Sequence, residues 1–250
     1  MRALPVALLL VCLALTSADH VRAQDVARAP APFKVGERLV FDINYGFLKA
    51  GVAVMQVKDI VPCDSGECYE ITSEARSTRP FSLVYEVRDL VSSWMSVSDL
   101  SSRRFEKNTK EGNYTEHETV VFDQARHFAI YSDSTRVEIP PLVEDVLSSL
   151  YYLRTRRLEV GTSVLIENHS DKKNYPLEVR ILRTERVSVP AGEFDCFVVE
   201  PILKSSGLFE HQGNLTVYVT CDERVMPVKM TSKIILGSIG AVLSEYRTGD

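Results

Sequence analysis

The chain has one tryptophan and five histidines in 250 residues, and neither residue type is grouped. His117, His127, His169 and His211 are scattered, without a His-x-His or His-Glu-x-x-His spacing, so a metal centre has nothing to start from. A Gly-x-Ser-x-Gly nucleophile elbow is also missing, because Gly237-Ser-Ile-Gly lacks the spacing, and no glycine-rich phosphate loop occurs. The sequence therefore names no catalytic residue, no metal ligand and no cofactor. Basic excess is absent too. The formal charge is −5, and the clusters Arg103-Arg104 and Arg154 to Arg157 are short and flanked by acids, which suits solvated faces and argues against a nucleic-acid partner.

Long apolar runs are confined to the start. Arg2 precedes an apolar stretch from Ala3 to Leu15 broken only by Pro5, and Val21-Arg22-Ala23 fits a small-residue cleavage pattern. Residues 1–23 read as a secretory signal peptide cleaved near Ala23, with Ala18 the second choice; Cys12 lies inside the apolar run and is not read as a lipid anchor. No later stretch approaches the roughly 18 apolar residues that a spanning helix requires, so the mature chain is expected to be exported, most simply to a periplasm, without a transmembrane segment. Residues 24–32 are rich in Ala and Pro and read as a flexible leader, with one β domain over 33–250.

Alternation dominates that domain. In RLVFDINY the apolar set is Leu39, Phe41, Ile43 and Tyr45; in NYPLEVRI it is Tyr175, Leu177, Val179 and Ile181; in NLTVYVTC it is Leu215, Val217, Val219 and Cys221. This period of two predicts strands with one buried face. Further strands are expected near 50–61, 67–77, 81–97, 103–111, 114–123, 126–139, 162–169, 192–204, 225–236 and 240–247. One segment breaks the pattern. Leu142, Val143, Val146, Leu147, Leu150 and Tyr151 recur at three and four, with Glu144 and Asp145 placed in a first turn and Arg154, Arg156 and Arg157 in a last one. This spacing predicts an amphipathic helix near 142–157, and its apolar stripe must cover something. The fold class is thus all-β, a large curved antiparallel sheet or half-open barrel with one helix.

A faint internal repeat runs through the domain. FKVGERLVFDI at 33–43 is similar to LEVGTSVLIEN at 158–168, and SVSDLSSRRFEK at 96–107 to VTCDERVMPVK at 219–229 with one insertion. Duplicated halves over 33–139 and 158–250 would account for it, as would chance likeness between hairpins.

Four cysteines lie beyond the leader, an even number that points to disulfides in an exported chain. Cys63 and Cys68 enclose Asp-Ser-Gly-Glu and are expected to face each other across a hairpin neck. Cys196 shares a face with Phe194 and Val198, and Cys221 with Val217 and Val219; a hairpin closing over 205–213 sets the two opposite each other and predicts a Cys196–Cys221 bridge.

FKVGERLVFDINYGFLKAG, LVYEVRDLVSSWMSVSD, VSVPAGEFDCFVVEP and LTVYVTCDERVMPVKM together resemble a bacterial exported family known only as domain of unknown function 3108. The resemblance covers about residues 33 to 247 and implies an envelope location and an antiparallel β fold, with no catalytic residues to carry over. The strand-turn-strand layout also resembles the half-open barrels of lipoprotein carriers, which implies a concave apolar face for a lipid-like or other hydrophobic ligand.

Candidate contacts for such a ligand are Tyr85, Asp89, Trp94 and Tyr151. Asp89 interrupts the apolar odd row Phe81, Leu83, Tyr85, Val87, Val91, so a buried carboxylate there calls for a partner such as Arg79, Arg88 or an arginine of the helix end, unless a bulge at 88–89 turns it to solvent. Trp94 continues that strand, and Tyr151 lies on the helix. Glu116-His117-Glu118 reads as solvated surface. Glu193 and Asp195 share a strand face near a turn and are the paired carboxylates open to an envelope hydrolase. The expectation is an exported, non-catalytic envelope protein that binds or carries a hydrophobic or lipid-like ligand; an envelope scaffold acting on a protein partner, and the hydrolase, are the alternatives.

Overall fold

A computed structural model describes residues 30–64, 66–202, 215–234 and 237–249. The expected signal peptide and the 205–213 connection lie outside the described residues. From Ala31 onward the chain forms one compact unit.

Fourteen strands succeed one another with two helices. The first wing comprises β1 (Glu37–Tyr45), β2 (Leu48–Cys63), β3 (Gly66–Ser77), α1 (Arg79–Ser82), β4 (Val87–Ser96) and β5 (Ser102–Glu111). It continues through β6 (Tyr114–Asp123), β7 (Phe128–Tyr131) and β8 (Arg136–Glu138) to α2 (Val146–Arg154). The second wing is β9 (Ser163–Ser170), β10 (Lys173–Val189), β11 (Gly192–Ile202), β12 (Leu215–Thr220), β13 (Pro227–Ile234) and β14 (Gly237–Thr248). All pair antiparallel in one sheet ordered β8-β7-β6-β5-β4-β3-β2-β1-β14-β13-β12-β11-β10-β9. The expected all-β curved sheet is what the chain forms. It is a meander whose first and last strands meet in the middle, so the edges, β8 and β9, are the two strands next to α2 in sequence.

Local chemistry explains where the elements depart from the expected pattern. The strand expected over 81–97 begins only at Val87, because Pro80 enters the first turn of α1 after Thr78, and proline has no N–H to give a ladder. The 126–139 strand is broken by a turn in which Ser134 takes a φ of 66°. The helix is shorter than 142–157 because Asp145 caps it instead of lying in its first turn: its Oδ1 accepts the N–H groups of Leu147 and Ser148, each at 2.8 Å. Leu142, assigned to the helix by periodicity, has a φ of 57° and points to solvent.

Cys63 and Cys68 form the expected disulfide, with Cα atoms 5.9 Å apart. The Cys196–Cys221 bridge does not form. Cys196 pairs with Thr220, and the Cys221 N–H donates to the Asp195 carbonyl, so the register differs by one residue from the one that would align the cysteines. Both thiols are free, and burial pushes that of Cys196 up to about 12.

The sheet curls far enough for α2 to touch β3, β4 and β9. Residues 143–145 link the wings through the backbone. Val143 accepts the Ser102 N–H of β5, while Glu144 donates to Glu167 and accepts from the His169 N–H, both on β9. The main core gathers Leu39, Phe41, Val57, Ile71 and Met95 around Leu147 and Tyr151 of the helix. A second core sets Val179, Ile181, Val199 and Val217 against Leu153 and Leu158.

Candidate functional site

The helix closes one end of the sheet; two polar clusters hold it there, and a third ties the strands beside it. At its start, Oδ2 of the fully buried Asp145 accepts the hydroxyls of Ser93, at 2.6 Å, and of Ser102. Burial pushes the Asp145 carboxyl up, while Ser102, Ser93 and the two cap N–H groups hold it down. At its end, Arg154 grips Glu37 of β1 through both guanidinium nitrogens at 2.6 and 2.7 Å, with both side chains almost wholly buried. The rings of Phe33 and Tyr151 lie 5.3 and 5.1 Å from that guanidinium, and its Nε donates to the Arg224 carbonyl at 3.2 Å. The third cluster fastens the β9–β10 hairpin to β7. His169 Nδ1 meets Asn174 Oδ1 at 2.6 Å and its Nε2 meets the Tyr131 hydroxyl at 2.8 Å, while the Lys172 N–H donates to that same hydroxyl oxygen. An amide oxygen only accepts, so the ring carries its proton on Nδ1 and takes the Tyr131 hydroxyl hydrogen on Nε2.

Across paired strands, residues directly opposite share a face, and successive rows show how the face that meets the helix changes with distance from it. At the helix level the row is Val57, Ile71, Ser93, Phe105, Val120 and Tyr131, all buried. The next is Leu39, Met55, Ser73, Val91, Lys107 and Glu118. The third is Phe41, Ala53, Ala75, Asp89, Thr109 and Glu116, of which all but Phe41 are partly exposed. Beyond it Ile43 pairs with Gly51, where an added Cβ would lie 2.7 Å from the Arg76 carbonyl oxygen, so β2 approaches β3 too closely for any side chain. In the third row the large buried pair Phe41 and Leu243 at the centre of the sheet gives way to Ala53 and Ala75 on β2 and β3, and the row becomes charged toward β6. The result is a trough above the helix, small and apolar on β2 and β3 at Ala53 and Ala75 and ionic on β4–β6.

On the ionic side Lys107 stands among three acids, Asp89, Glu116 and Glu118. Lys107 Nζ lies 2.9 Å from Glu116. Burial works against the Lys107 charge, but the Glu116 carboxylate raises it on balance, and Lys107 in turn holds Glu116 down. Burial raises Glu118, with Asp171 and Glu116 adding to the effect against Lys107 and Lys172. Burial likewise raises Asp89, opposed by the Lys110 N–H at 3.1 Å and reinforced by Glu111.

The four expected ligand contacts do not converge. Asp89 occupies the third row, partnered by the Lys110 backbone and by none of the expected arginines, and no bulge falls at 88–89. Tyr85 is half exposed on the connection after α1, its ring against Gly112. Trp94 points to the opposite face, where the Arg104 guanidinium stacks 5.2 Å from its ring. Tyr151 is sealed in the core beneath the trough. Glu116 and Glu118, expected on the solvated surface, point into the trough, and only His117 faces outward, 2.6 Å from Asn108 Oδ1. The sequence signal for them is parity: Phe105 and Val120 fix the inward phase of β5 and β6, and Lys107 and Glu118 are two residues away in that phase. Glu193 and Asp195 are solvated and face Arg186 at 2.8 and 3.8 Å. Among the described residues no group of three or more His, Cys, Asp or Glu is placed to hold a metal, and no helix is long and apolar enough to cross a membrane.

A single antiparallel sheet curled around a helix that closes one end defines a β-barrel-like domain. The profile of the family described as "Protein of unknown function (DUF3108)" matches residues 40–244, and the chain belongs to that family. No curated protein matches the chain. Its fold is similar to that of the beta-barrel-like protein of domain of unknown function DUF1849 from Brucella abortus, with a TM-score of 0.56 and 8% identity over 87% of this chain and 100% of that one. A DUF1089 family protein from Pseudomonas aeruginosa matches at a TM-score of 0.43 and 9% identity, covering 74% and 90% of the two chains. An exported protein with a YmcC-like fold from Bacteroides fragilis matches at 0.38 and 12%, covering 86% and 97%.

Proposed function

We propose that this protein is an exported binding or carrier module of the bacterial cell envelope, holding a hydrophobic or lipid-like ligand in the trough above α2. The carrying observation is the gradient of the rows: large buried side chains at the helix level give way on β2 and β3 to Ala53 and Ala75, which leave room where the sheet is still curved. An apolar chain would lie along Ala53 and Ala75, and a polar head would meet Lys107 and its acids. The Cys63–Cys68 disulfide supports an oxidising compartment. The test is native mass spectrometry and solvent extraction of the chain purified from its own envelope, compared with Ala75→Trp, which fills the trough. A bound lipid that falls at least about tenfold in occupancy in the variant is the expected result, since a filled cavity excludes its ligand outright. A clean apo mass for both proteins defeats the reading.

A scaffold role has one observation in its favour. The edge strand β9 borders a cleft of about 370 Å³ lined by Arg156, Arg157, Ser163 and Leu165, where an extended acidic segment would extend the sheet. Crosslinking from Leu165 in cells that captured no envelope protein would remove it.

A further inference from the structure

Apolar residues that the interior does not use are gathered at the end of the sheet opposite the helix. In an antiparallel meander the connections alternate between ends, so the β1–β2, β3–β4 and β5–β6 turns lie together there with the start of β14. They are fastened to one another. The Gly46 N–H donates to Ser238 at 3.0 Å, the Thr78 N–H donates to Ala50 at 2.8 Å, and the Tyr85 ring takes the space beside Gly112. On this crest Phe47 is 96% exposed, Leu83 90% and Val84 89%, with Leu48 beside them at 55%. Tyr45, Tyr85 and Tyr114 stand at its shoulders, each partly exposed.

We infer that this crest is a membrane-docking surface and that its occupant is the face of a lipid bilayer. The most exposed side chains sit on convex turns, spaced along the crest. A protein partner would need a separate pocket for each, whereas acyl chains yield around any protrusion. Tyrosines at the shoulders suit the level of the headgroups, where a ring is half buried and its hydroxyl stays wet. The charges of this end nearly balance once Glu111, beside Tyr85, is counted, and Arg79 is the cation left for an anionic surface. Glu86 is neutralised by Arg88 and Lys110 at 2.8 Å each, Lys49 pairs with Asp42, and exposed Arg79 at the start of α1 has no carboxylate partner among the described residues. Docking in this orientation turns the open end of the trough toward the bilayer. The inference stands apart from the carrier reading, since it needs no ligand in the trough.

Flotation with vesicles of phosphatidylethanolamine, with and without phosphatidylglycerol, tests it on the chain purified without detergent. The wild type is expected to float, and more strongly with phosphatidylglycerol. The triple variant Phe47→Ser, Leu83→Ser, Val84→Ser should lose roughly 100-fold in partitioning, and Arg79→Glu about fivefold on the anionic vesicles alone. Leu165→Ser, exposed beside the helix-closed end, should change nothing. All these positions are solvent-exposed, so an unchanged urea midpoint verifies the fold. Ala75→Trp should dock normally, which separates failure of docking from failure of the carrier reading. The inference is overturned if the wild type stays in the aqueous fraction, if the triple variant floats equally well, or if that variant converts a dimer to a monomer while neither form binds vesicles.

Discussion

The two ends of this one sheet obey the same alternation and reach opposite results. At the helix-closed end the inward positions are mostly apolar and covered or polar and partnered, as with Arg154–Glu37 and Asp145 with its serines, the buried Tyr151 hydroxyl and Gln124 Oε1 being exceptions. At the open end the inward positions on β2–β6 are small or charged, and the most exposed large apolar residues stand on the turns, outside any core. A period of two decides only which face a residue takes. Whether that face becomes core depends on what arrives to cover it, and here a helix of nine residues covers one end.

The contrast is broken most severely at Arg154. Arg154→Met leaves the Glu37 carboxylate buried and unpaired and should cost about 3–5 kcal/mol in urea unfolding, whereas Lys107→Met, which breaks the half-exposed pair with Glu116, should cost under about 1 kcal/mol. Equal losses would show that the two ends are not different in kind. Asp145→Ala comes next. It removes the helix cap and strands the Ser93 hydroxyl, while that of Ser102 keeps Ser148 and the backbone N–H of position 145, for a loss of roughly 2–4 kcal/mol; a loss smaller than that of an exposed cap would mean that the helix is held by its apolar face alone. The smallest effect is one of pH. Burial holds His169 below its ordinary value, so around that value the folded chain binds fewer protons than the unfolded one. Its stabilising share is complete above about pH 6.5 and is lost as the pH falls toward the folded value. Asp89 and Glu118, raised by burial at the open end, carry the opposite sign, their share being lost as the pH rises through the carboxylate range. His169→Gln should flatten the slope of the urea midpoint just below pH 6.5, and an unchanged slope would refute the assignment.

Much of this fold is legible in the residues. Strand positions follow from alternation almost throughout, and the short Cys63–Cys68 loop announces its own bridge because a hairpin neck is local geometry. The apolar row marks Asp89 as unusual, and it does face inward. The failures share a cause. The Cys196–Cys221 pairing depends on a register set across a connection of unknown path, and one residue of slip removes it. The sequence offers Trp94, further along the strand of Asp89, and Tyr151, on the helix, as candidate contacts, yet one lies on the opposite face and the other under the trough. Glu116 and Glu118 read as surface because nothing local says that β6 curls toward the β9–β10 hairpin.

By itself the sequence determined the elements: period-two strands, turns at glycine and proline, one helix at period 3.6, one local disulfide. Those depend on neighbours within a few residues, where steric and hydrogen-bonding rules are decisive. Only the tertiary structure decided that β1 meets β14, that Glu37 reaches Arg154 across 117 positions, and that the helix closes one end and leaves the other open. Such choices rest on which distant surfaces exclude water together, and no local pattern records that.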